Sequence, residues 1–184
     1  MTNIGFGSIG DQACIYVYIA NRPPMDQYKH LSTVTALPPG DVFNIAQHTG
    51  NHWRKIFNVY AKFLYGLLLT APSSFKTIDT EFISRWQQYR DAILLQSSSD
   101  CALLFSKPNF VQAHESSVHI IMGKTYAAQL GWDRESNKEL ILLDNDFAVC
   151  PSKKLIVCPY FDYRQLSNIK IEKLIKLVHE LCNK

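Results

Sequence analysis

Four short apolar runs in this chain each lead into a basic residue. Arg22 follows Cys14-Ile15-Tyr16-Val17-Tyr18-Ile19, and Lys107 follows Cys101-Ala102-Leu103-Leu104-Phe105. Lys124 follows Val118-His119-Ile120-Ile121-Met122, and Arg164 follows Leu155-Ile156-Val157-Cys158. If the runs are parallel strands, their following loops share one edge of a sheet, the edge at which open α/β sheets hold ligands. Asn21, Phe110, Tyr160, Phe161, Asp162 and Tyr163 bring polar groups and aromatic surfaces to the same loops. Arg22, Lys107, Lys124, Asp162 and Arg164 are therefore the candidate ligand-binding residues, suited by charge and stacking to a phosphate-bearing or base-like ligand.

Other motifs lack the context their chemistry needs. Gly5-Phe6-Gly7-Ser8-Ile9-Gly10 spells a dinucleotide fingerprint, but only four residues precede it and an apolar run follows, so no strand feeds it and no helix leaves it. Gly123-Lys124-Thr125 ends like a phosphate-binding loop, yet Val118 stands where the first glycine belongs. It reads as a tight strand-to-helix turn in which Lys124 meets an anion singly. His48 and His52 are four apart, but Gly50 and Asn51 between them argue against one continuous helix, so metal-ligating geometry is not expected. Asp144-Asn145-Asp146 reads as a solvated turn. No metal and no cofactor are expected.

The elements that must position these residues follow from periodicity. The four runs are apolar on successive residues, the mark of strands buried on both faces, and Leu140-Ile141-Leu142-Leu143 is a candidate fifth. After Thr49-Gly50-Asn51, Trp53, Ile56, Phe57, Tyr60, Leu64 and Leu67 recur at three and four, one buried helical stripe. A second helix is expected from a Thr77 cap, with Phe82, Trp86, Tyr89 and Ile93 inward. A short one runs from Gly123 to a stop at Gly131, and a last one after Ser167 buries Ile171, Leu174, Ile175, Val178 and Leu181. Alternating strands and helices predict a layered α/β/α fold with a four- or five-stranded, mostly parallel sheet. Residues 1–184 are expected to form one domain, with 1–12 as a flexible N-terminal segment.

Composition limits the function classes. The 19 basic and 16 acidic residues leave a net charge of only +3, too little to coat nucleic acid or membrane by charge alone, so any anion site must be local. No apolar stretch has the length of a membrane span, and no secretory leader is expected. The five cysteines, Cys14, Cys101, Cys150, Cys158 and Cys182, show no paired spacing and read as reduced thiols, mostly buried, in a cytoplasmic protein.

The order of motifs resembles the uracil-DNA glycosylase superfamily, especially its mismatch-specific branch. Ile15-Tyr16-Val17-Tyr18-Ile19-Ala20-Asn21-Arg22-Pro23 resembles the family's first strand and the loop whose Asn or Asp assists attack of water. Gly50-Asn51-His52-Trp53-Arg54-Lys55 resembles the segment that opens the following helix. Val118-His119-Ile120-Ile121-Met122-Gly123-Lys124 resembles its strand, glycine and helix unit, and Cys158-Pro159-Tyr160-Phe161-Asp162 stands where a His-Pro-Ser type loop would sit. The resemblance implies Asn21 as the water-holding catalytic residue and Tyr160 as the donor to the departing base. Tyr160 replaces the family's histidine, the serine is absent, and Arg22-Pro23 replaces Pro-Gly. The implied protein is a bacterial relative that keeps the scaffold without full glycosylase activity, with a nucleobase, nucleotide or nucleic acid as partner and no membrane. The alternative is a small non-enzymatic interaction protein or homo-oligomer without a small-molecule site.

Overall fold

The computed structural model describes residues 2–8, 15–70, 82–97, 99–111, 113 and 115–182. Eight strands form one sheet: β1 (Gly5–Gly7), β2 (Ile15–Tyr18), β3 (Val34–Thr35), β4 (Cys101–Leu104), β5 (Val118–Met122), β6 (Ile141–Leu142), β7 (Ala148–Cys150) and β8 (Leu155–Cys158). Their order is β3-β1-β4-β2-β5-β8-β7-β6. Among the described residues six α-helices accompany them: α1 (Asp26–Lys29), α2 (Asp41–Thr49), α3 (Asn51–Thr70), α4 (Trp86–Ala92), α5 (Lys124–Gln129) and α6 (Asn168–Cys182).

The four apolar runs form the central block β4-β2-β5-β8, all parallel, in which Ile15 pairs with both Cys101 and Val118, and His119 with Leu155. Both faces of this block are buried. Ile15, Val17 and Ile19 point to one core with Val118, Ile120 and Met122, where α2, α3, α4 and α6 pack. Tyr16, Tyr18 and Ile121 point to the other, beneath α5 and the loops carrying Phe110 and Trp132. Alternation of side chains across a strand makes a continuous apolar run mandatory where both faces are covered. From α3, Tyr60 reaches the sheet and donates to the Ala102 carbonyl at 3.1 Å, tying the helix layer to the start of β4.

The expected four- or five-stranded, mostly parallel sheet is corrected to eight strands of mixed direction. Outside the block, β1 runs antiparallel to β4, and β7 antiparallel to both β8 and β6. The added strands β1, β3 and β7 are two or three residues long, too short for periodicity to register. Strand β1 lies in the segment expected to be flexible, and its glycines explain why it looked like a loop. A Cβ on Gly5 would stand 2.1 Å from the Leu103 carbonyl oxygen, and one on Gly7 2.2 Å from that of Cys101. Glycine is there for close backbone approach, and Phe6 between the two is buried with its ring edge-on to Tyr28 and Phe105. Of the dinucleotide-like motif, Gly10 lies outside the described residues, as do the Thr77 cap and Cys14. Helix α4 begins only at Trp86, which is half-buried, and Phe82 is 78% exposed rather than in the core. Helix α2, which precedes Gly50, had not been expected.

Cys101, Cys150 and Cys158 are buried free thiols, while Cys182 is exposed. Burial pushes the Cys101 thiol up to about 11 and that of Cys158 higher still, so neither is a nucleophile near neutral pH. No helix among the described residues is long and apolar enough to cross a membrane.

One buried polar pair sits inside the second core: the Tyr18 hydroxyl meets His119 Nδ1 at 2.7 Å, with the Phe110 ring packed edge-on against the imidazole. Burial lowers the His119 pKa to about 4 from an ordinary 6.5 and raises that of Tyr18. Between these two histidine values the unfolded chain binds more protons than the folded one, so stability is full above pH 6.5 and falls as pH drops toward 4. The loss should reach about 3 kcal/mol. His119→Gln should flatten that dependence in urea titrations across the pH range; an unchanged slope would place the proton uptake elsewhere.

The two aromatic positions give a stability contrast. Trp53 is 2% exposed, so Trp53→Ala should cost ~3 to 5 kcal/mol in chemical denaturation. Phe82→Ala should stay within ~0.5 kcal/mol.

Candidate functional site

The chain leaves β2 toward β4 on one side and returns to β5 on the other, so the order of strands reverses beside β2. A cleft of about 630 Å³ opens there, at the carboxyl ends of β2, β5 and β8. Its floor is Ala20, Met122 and Pro159, largely apolar. One wall is the first turn of α5, with Lys124, Thr125 and Tyr126. Gly123 makes the turn with φ +92°, a conformation side-chain-bearing residues avoid, and its N–H donates to the Cys158 carbonyl at 2.8 Å. The strand is thus held to β8 up to the point where Lys124 is released into the cleft.

The opposite wall comes from the loop before α6, from α6 and from the β6–β7 turn, through Gln165, Lys170 and Asp146 respectively. Lys170 pairs with Asp146 at 2.9 Å, and Lys173 pairs with Asp144. The Asp144 carboxylate also accepts the backbone N–H groups of Asp146 and Phe147, and the Lys173 bond above all holds its pKa at about 2. The expected solvated turn is therefore a clamp, with each carboxylate engaged by a lysine. Lys124 makes no ion pair or hydrogen bond among the described residues, which leaves it the uncompensated cation of the cleft.

Tyr160 leads from β8 into the cleft. Its hydroxyl lies 3.0 Å from His52 Nε2, with the two rings stacked at 5.6 Å. Burial pushes the Tyr160 phenol up to about 12, so it remains protonated and acts through hydrogen bonds. Lys124 and Tyr160 thus meet in the cleft although they come from two strand ends, while Asn21 does not line it and lies near enough to the Tyr160 phenol to lower its pKa.

The remaining candidates lie elsewhere. Arg22 donates to the carbonyls of Lys29 and Leu31 at 3.1 and 3.2 Å and lies over the Phe105 ring, fastening the loop after β2. Lys107 is exposed on the loop after β4 and does not line the cleft. Asp162 pairs with Lys55 at 2.8 Å, which lowers its pKa, and it accepts the Arg164 N–H. Arg164 turns its guanidinium over Tyr163. His48 bonds the Asn44 carbonyl at the end of α2 while His52 serves Tyr160, so the two histidines across Gly50 have separate partners. Among the described residues, no group of three or more His, Cys, Asp or Glu is arranged to hold a metal. Sequence reasoning missed Gln165 and Lys170 in the lining and His52 as the partner of Tyr160, because only the packing of the chain after β8 and of α3 brings them there.

Tyr160→Phe keeps the ring stack and removes the hydrogen bond to His52. It should shift the His52 ring-nitrogen resonances while costing about 1 kcal/mol of stability. Unmoved resonances would mean that the contact is not populated in solution.

Residues 4–179 match the model of a family described as a family of unknown function, DUF6942. No curated protein and no solved structure matches the chain. With the eight-stranded mixed sheet, these findings correct the expected glycosylase-like fold and function: none of them carries a nucleobase site or a DNA-binding surface.

Proposed function

We propose that this chain, which belongs to the DUF6942 family, binds a small organic acid in the cleft at the strand-order reversal. The observation that carries the reading is Lys124, a cation without a carboxylate partner among the described residues, at the mouth of a cleft with an apolar floor. Three features support it. The cleft occupies the place where open α/β sheets take their ligands. Its volume of about 630 Å³ falls in the range of small-molecule sites. Its floor of Ala20, Met122 and Pro159 is apolar, while polar groups line the walls, where Lys170 and Asp146 neutralise each other and Lys124 does not have such a partner among the described residues. A ligand with one negative oxygen group and a short apolar body matches that arrangement, the charge on Lys124 and the body on the floor.

Tyr160 has the role of an orienting group. With its phenol protonated and tied to His52, it presents a fixed oxygen to a polar substituent next to the acid group, and the ring stack on His52 limits its rotation.

Calorimetric titration of the full chain with straight-chain and aromatic monocarboxylates, and with the matching amides, tests the reading. At least one acid should bind, its amide should bind roughly tenfold more weakly, and Lys124→Gln should abolish that preference. No binding by any acid at millimolar concentration, or equal binding of acid and amide, would overturn it.

A further inference from the structure

A second concave surface runs along α3, away from the cleft. Asn51, Arg54, Lys55, Asn58 and Lys62 recur on α3 at three and four, a polar stripe beside the buried one. They line a hollow of about 320 Å³ closed by Trp86 of α4 and by Tyr163 beyond β8. Arg54 and Asn58 also line an adjoining hollow of about 120 Å³, whose other walls include Val42, Phe43, Ala46 and Phe57. The two form one furrow, cationic at one end and apolar at the other.

Aromatic rings fix the cationic heads of this furrow. Lys62 Nζ and the Arg90 guanidinium lie 5.3 and 5.6 Å from the Trp86 ring centre, and Lys55 and Arg164 lie 5.1 and 5.9 Å from that of Tyr163. Arg90 further donates to Asn58 Oδ1 at 2.6 Å. Among the described residues, five cations, Arg54, Lys55, Lys62, Arg90 and Arg164, stand here against two carboxylates, Asp162 on Lys55 and Asp91 on Arg90. That surplus equals the +3 of the whole chain, so the rest of the chain carries no net formal charge. Holding like charges together at one surface costs Coulomb energy that an anionic partner recovers.

We propose that this furrow docks an acidic peptide segment of a partner protein, with carboxylates against Arg54 and Lys62 and a neighbouring apolar side chain in the Val42, Phe43, Ala46 and Phe57 hollow. Arg54 and Lys62 are eight residues apart on one helix, about 12 Å, a span that a few residues of extended peptide cover. The apolar hollow favours a peptide over a nucleic acid, and the aromatic rings are already engaged by cations rather than open for bases to stack on. A second copy of this chain is a poorer occupant. Its exposed Ile141, Leu142 and Leu143 adjoin Asp144 and Asp146, but both acids are held by Lys173 and Lys170.

Panning a random-peptide library against the full chain, followed by fluorescence anisotropy of the recovered peptides, tests the proposal. The recovered peptides should be enriched in Asp and Glu beside an apolar residue. Arg54→Glu with Lys62→Glu should weaken their binding roughly tenfold or more, while Lys138→Glu with Lys176→Glu, the same charge change elsewhere, should leave it within about threefold. The milder Arg54→Gln should act in the same direction if the double variant loses its fold. Recovery of peptides without acidic enrichment, equal loss in both double variants, or tighter binding of single-stranded oligothymidylate would overturn it.

Discussion

Two-sided burial of the β4-β2-β5-β8 block is the constraint on which the rest of the molecule depends. A strand covered on both faces must be apolar at every position, and it offers polar chemistry only where it ends. The chain therefore concentrates its useful groups at the carboxyl ends of the block. Asn21, Lys124 and Tyr160 are each within three residues of a strand terminus. The exception within the block is His119, whose imidazole is kept neutral by burial and meets the Tyr18 hydroxyl. A buried polar pair of this kind fixes the pairing of β2 with β5, because a slip by one residue would leave both groups without a partner.

How far the fold could be read from the sequence follows the same constraint. The four runs announced themselves because burial on both faces leaves His119 as their one polar interruption, and α3 and α6 because a long helix repeats its stripe over several turns. Gly5-Phe6-Gly7 carried the opposite appearance. A residue pair chosen for close approach to the Leu103 and Cys101 carbonyls has the composition of a loop. Strand β3, Val34–Thr35, and strand β7, Ala148–Cys150, are defined by their neighbours more than by their own sequence. Helix α2 went unread because only Val42 and Ile45 of its nine residues are buried.

Legibility of the site depended on topology. Residues just after parallel strands meet at one edge, so Asn21, Lys124 and Tyr160 could be grouped from the chain alone. The same reasoning overreached for Arg164 and Asp162, which lie only a few residues further on but turn toward α3, where Lys55 and Tyr163 hold them. Arg22 was diverted by the carbonyls of its own loop. His52 had no readable role, since its partner across 108 residues is set by how α3 crosses the end of β8.

The clamp between the β6–β7 turn and α6 gives the cleft two walls of unequal stiffness. The α5 side is continuous with the sheet and is held by backbone bonds on a buried strand. On the other side β7 is paired with β8, but the β6–β7 turn meets α6 through Lys170–Asp146 and Lys173–Asp144, and the latter pair is 40% and 41% exposed. Ion pairs so open to water contribute less than about 1 kcal/mol each and weaken with salt. The tip of the β6–β7 hairpin is then a compliant jaw facing a rigid one, and ionic strength sets how readily it yields to an entering molecule.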